Sequence, residues 1–147
     1  MAGRKGTLTK SAISVADAAT DTLLQIVAAA NHAVRITRWH LSAEGVVNTD
    51  DPVLVELLRQ TDAGTATALT PKKLDDSIAD TLDTTGQHTA TVEPTAGDIL
   101  RSRYVHPQAG ITEPDEIIVG AADRVGLRVT NATGAALKFT AEIEFEE

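Results

Sequence analysis

The chain has no cysteine among its 147 residues. That excludes disulfide staples, thiolate metal sites and a cysteine nucleophile, and it fits synthesis in a reducing cytoplasm. Aromatic residues are almost as scarce: one Trp, one Tyr and two Phe, 3% in all. The core must therefore be built from Leu, Ile, Val and Ala, a modest side-chain volume that suits two sheets packed face to face. No apolar run approaches the roughly 18–20 residues that cross a bilayer as a helix. The positive charges near the start, Arg4, Lys5 and Lys10, have no apolar segment behind them, so no signal peptide is read there.

Catalytic punctuation is missing too. There is no G-x-S-x-G elbow, no P-loop and no dinucleotide fingerprint, and no sequence cue sets any of the serines beside a base. The four histidines, His32, His40, His88 and His106, form no H-x-H or H-x-x-x-H pair, so neither a metal site nor a cofactor is expected. Asp75, Asp76, Asp80 and Asp83 lack the glycine and terminal glutamate of a calcium loop and read as a solvated face. Asn131-Ala132-Thr133 matches a glycosylation acceptor, but its Asn and the following Gly134 are what a turn requires.

Charge is unevenly distributed. The first ten residues hold three cations and no acid; the remainder carries −11, the whole chain's −8 less those three. An acidic body repels phosphate, so direct nucleic-acid binding is not expected. Residues 1–11 show no periodicity and read as an extended arm, whose Arg4, Lys5 and Lys10 are the candidate partner-binding residues. Residues 12–147 read as a single domain.

What the chain does have is alternation. Val125, Leu127 and Val129 share one face of a strand. After the Asn131–Gly134 turn, Leu137, Phe139, Ala141, Ile143 and Phe145 share another, with Lys138, Thr140, Glu142, Glu144 and Glu146 opposite. Period two means a strand with one dry and one wet face, and the punctuated pair reads as a hairpin. Other strands are expected at 12–16, 22–28, 33–44, from Val53 to Gln60, 88–93, 98–105 and 116–119. The apolar face switches near Arg38, which predicts a bulge. Apolar residues on both sides of 53–60 predict a strand covered on both faces at one end. Thr70-Pro71 reads as a helix start, with Leu74, Ile78 and Leu82 along one side of a short helix; Thr112–Asp115, with Pro114, reads as a loop. Eight or more short strands with turn signals between them describe an all-β antiparallel sandwich, jelly-roll-like.

Several stretches together resemble small structural proteins of tailed bacteriophages and prophages. They are Thr65–Asp75, Thr91–Thr95, Tyr104–Gly110, Gly126–Val129 and Ile143–Glu147, within a resemblance that spans about residues 22–147. It is nearest to the β-sandwich head-decoration, or cement, proteins. It implies a non-enzymatic virion protein on the outer capsid surface, bound to the major capsid protein as a homotrimer, with no cofactor and no membrane contact. Two alternatives remain: a tail or fibre component that binds a partner or host surface, and a cupin-like metal-dependent enzyme on a similar barrel.

Overall fold

The computed structural model describes residues 3–44, 51–77 and 79–147. Its strands are β1 (Lys5–Val15), β2 (Ala19–Val27), β3 (Val34–Glu44), β4 (Val53–Gln60), β5 (Thr65–Leu69), β6 (Lys72–Lys73), β7 (Thr85–Val92), β8 (Ala96–Val105), β9 (Ile111–Val119), β10 (Arg124–Asn131) and β11 (Leu137–Glu146). One sheet has the order β6-β1-β11-β3-β9 and the other β5-β7-β2-β10-β4-β8, and all pairings are antiparallel. With β5–β7 set aside as an insert, the chain alternates sheets from β1 to β4 and again from β8 to β11. That leaves β1-β11-β3-β9 facing β2-β10-β4-β8, the winding of a jelly roll.

The core between the sheets is aliphatic, with Trp39, Phe139 and Phe145 as its only large rings. The alternating residues of β11 are buried as expected, and Glu142, Glu144 and Glu146 lie on the wet side. The bulge near Arg38 is present: β3 shifts register against β9 between Ile36 and Arg38. It returns Trp39 and Leu41 to the face that already holds Val34 and Ile36, and all four are buried. The end of β4 is covered on both sides, with Glu56, Leu58 and Gln60 on its outer face closed off.

Four expectations need correction, the last of them at the N-terminus. β10 and β11 are not a hairpin: β10 pairs with β2 and β4, and β11 with β1 and β3. Their dry faces meet across the core, so the Asn131–Gly134 turn arches from sheet to sheet. No helix starts at Thr70-Pro71, and the described residues of the predicted helix form the short β6 and loops; Ile78 lies outside the described residues. Leu74 is 51% exposed, and Lys72 and Lys73 in a first turn would oppose a helix dipole. Pro114 sits within β9 rather than in a loop, which an edge strand tolerates.

The N-terminal segment is extended, but it belongs to the sheet. β1 runs unbroken across positions 11 and 12, pairing from Lys5↔Glu146 to Val15↔Leu137. Leu8 is fully buried. The alternation is interrupted by a register shift between Lys10 and Ile13, where Ala12 takes a left-handed φ of 57°. One extra residue there hides the period-two pattern.

Candidate functional site

Both open sides of the sandwich are closed by charged side chains, and these closures hold most of the chemistry the fold assembles. On the β8/β9 side, Arg101 reaches Asp115 at 2.8 Å and Arg103 reaches Glu113 at 3.1 Å. The same guanidinium groups donate to the carbonyls of Leu100 (2.8 Å) and Ser102 (2.9 Å). Asp115 is almost fully buried and also accepts the indole N–H of Trp39 at 3.3 Å.

On the opposite side the insert crosses between sheets. β5 pairs with β7 in one sheet, and β6 pairs with Gly6 and Thr7 of β1 in the other. The strap from Thr70 to Thr84 is fastened at its far end. Arg4 donates to Asp83 Oδ2 (2.8 Å) and to the carbonyl of Thr81, and lies 3.0 Å from Glu147 Oε1. The Glu147 carboxylate is fully buried and accepts the backbone N–H groups of Asp83 and Thr84, both at 2.8 Å, and the Thr84 hydroxyl. Burial opposes ionisation of Glu147, but these hydrogen bonds and Arg4 outweigh it and hold its carboxyl below the ordinary range. Behind the strap lies a groove of about 490 Å³, lined by Leu69, Pro71, Lys72, Asp76, Leu82 and Gly86 among others.

The three candidate cations are not gathered into one surface. Arg4 is committed to the strap. Lys5 is exposed at the start of β1, and Lys10 is half-buried near His88. The acids 75, 76, 80 and 83 do not line a helix. Asp75 accepts the hydroxyl and backbone N–H of Ser77, which lower its pKa, while Asp83 faces Arg4.

The histidines also disperse. On the outer face of the β3 sheet, His40 Nδ1 lies 2.5 Å from Thr112 Oγ1, and its Nε2 lies 3.2 Å from Ser42 Oγ. A hydroxyl–imidazole pair of this kind can serve a nucleophile, but the third group here is a hydroxyl rather than a carboxylate. His106 Nδ1 accepts the backbone N–H of Gln108 in its loop. Asn131 is fully buried. It donates to the carbonyls of Val15, Ala16 and Ala135 and accepts from Thr133, so the glycosylation pattern there is a structural turn.

The outer face of the β11 sheet is a lattice of ion pairs. Arg38 bridges Glu142 (2.8 Å) and Glu144 (2.6 Å), and Arg35 pairs with Glu146 (2.5 Å). Apolar side chains are exposed at an edge of each sheet: Ile118 on β9 is 53% exposed, and on β8 Ile99 is 53% and Tyr104 75% exposed. Tyr104 pairs with half-buried Leu54 on β4. The sequence pattern carries no signal for this exposure, because exposure at an edge is set by topology. No family profile matches this chain, and no curated protein matches it significantly.

Proposed function

We propose that this protein is a bacteriophage capsid decoration protein that binds the outer surface of the shell and stabilises it. The observation that carries the reading is the exposed apolar pair Ile99 and Tyr104 at the edge of a sandwich whose other broad face is ion-paired. A large exposed aromatic at a sheet edge is the kind of anchor that dominates protein interfaces. The resemblance of the sequence to head-decoration proteins supplies the partner, the major capsid protein, and the homotrimer as the binding unit. Repeated over a lattice, each bound copy favours the assembled shell by mass action.

The incorporation of β1 into the sheet changes which variant tests this reading. Deleting residues 1–10 would remove buried Leu8 and half of a strand, so lost binding after deletion would only report unfolding. Tyr104→Glu and Ile99→Lys are the informative changes, added back to shells that lack the protein and measured by co-sedimentation. At least tenfold weaker binding by a folded variant supports the reading, and unchanged binding by both refutes this surface. Lys5→Glu, exposed and peripheral, separates the basic-segment contact from the apolar one.

A further inference from the structure

One histidine has a hydrogen-bonding pattern that the fold alone leaves incomplete. His32 lies in the turn between β2 and β3, with Nδ1 at 2.9 Å from Asn31 Oδ1. A carboxamide oxygen only accepts, so Nδ1 carries a proton and the neutral ring presents its lone pair at Nε2. That Nε2 is closed off from solvent and has no hydrogen-bond partner. It faces Glu147 Oε2 at 3.6 Å.

This spacing is too long for a hydrogen bond. It is close to the separation, about 3.4 Å, of two ligands held at roughly 2.0–2.1 Å by one tetrahedral cation. Asp83 completes the group: one donor atom from each of His32, Asp83 and Glu147 lies within 4.8 Å of the others. Arg4 contacts Asp83 Oδ2 and Glu147 Oε1, which leaves Glu147 Oε2 and the second oxygen of Asp83 off the guanidinium. Oε2 already accepts the Thr84 N–H and hydroxyl, so an ion there takes the place of the hydroxyl, while Asn31 on Nδ1 supplies the outer hydrogen bond that orients a metal ligand.

We propose that His32, Asp83 and Glu147 form a binding site for a divalent transition-metal ion of the zinc type. One imidazole nitrogen with two carboxylate oxygens is a borderline donor set, suited to zinc and its neighbours rather than to calcium or magnesium, which prefer all-oxygen shells. The ion ties the β2–β3 turn, the end of β11 and the far end of the strap into one node. Arg4 stands beside it as a competing positive charge, so its removal tightens binding.

Isothermal titration of the full chain with zinc, and with magnesium as comparator, tests the site. The expected result is one zinc per chain, no comparable magnesium binding, at least tenfold weaker binding in both His32→Ala and Asp83→Asn, and tighter binding in Arg4→Gln. His32 is partly exposed and Asp83 about half exposed, so these variants should fold, and circular dichroism checks that they do. No stoichiometric zinc binding by either the native chain or Arg4→Gln would overturn the proposal. So would binding that is unchanged in His32→Ala, which would place the ion at another histidine.

Discussion

Arg101 and Asp115 join the two sheets across their open side at 2.8 Å, and Asp115 at the same time receives the indole N–H of buried Trp39. Removing the carboxylate leaves the buried indole N–H without its acceptor and the partly exposed Arg101 guanidinium with the Leu100 carbonyl and water. Asp115→Ala should therefore cost about 1–3 kcal/mol in urea unfolding. Because Trp39 is the only tryptophan, its emission should shift in the same variant. A stable variant with unchanged emission would mean that the contact is incidental.

Asn131 anchors the arch between the sheets through three carbonyls drawn from two segments. Asn131→Ala strips the buried Val15 carbonyl of this donor and unties the arch from the end of β1, and should destabilise by about 1–3 kcal/mol. Thr133→Ala, which removes only the hydroxyl bonded to Asn131 Oδ1 and the Ala135 carbonyl, should cost less. Equal losses in the two variants would contradict the central role given to Asn131.

Gly64 turns the chain into β5 beside the end of β7 with a φ of +56°, and a Cβ there would lie 2.2 Å from the Val92 carbonyl oxygen. The obstruction is backbone, so it cannot rotate away. Gly64→Ala should cost about 2–4 kcal/mol by thermal or chemical denaturation. Gly134, also at positive φ but with open space around it, should lose less on the same substitution.

His88 has its pKa lowered, by burial first and then by Lys10. The unfolded chain, with a histidine pKa near ~6.5, then binds the proton more readily than the folded one. The contribution of this group is at its full value above the unfolded pKa and declines as pH falls through the window between the two values. His88→Gln should flatten that part of the melting-temperature profile, measured from pH 7.5 to 5. An identical slope in the variant would assign the acid sensitivity elsewhere.

The dry and wet faces of β10 and β11 were legible because period two is local, and so was the Arg38 bulge, which shows as a change of phase. Pairing was not legible. Alternation tells which side of a strand is buried but not which strand lies beside it, so two strands facing across a core read as a hairpin. β1 was hidden by the extra residue at Ala12, and the spacing of Leu74 and Leu82 suggested a helix that β6 and its loops replace. The clasp was beyond reach for a different reason. Arg4, His32, Asp83 and Glu147 come from four distant segments: Arg4 and Glu147 meet through backbone pairing beside β1 and β11, and Asp83 reaches them only through the wrapped insert.

The central claim is that the protein is a repeated part of a virus shell. Its most direct test is the copy number relative to the major capsid protein in gradient-purified particles, by quantitative mass spectrometry. A ratio near one, or a simple fraction of it, is the predicted result. A handful of copies per particle would instead indicate a tail or fibre part, and absence from the particle would contradict the account.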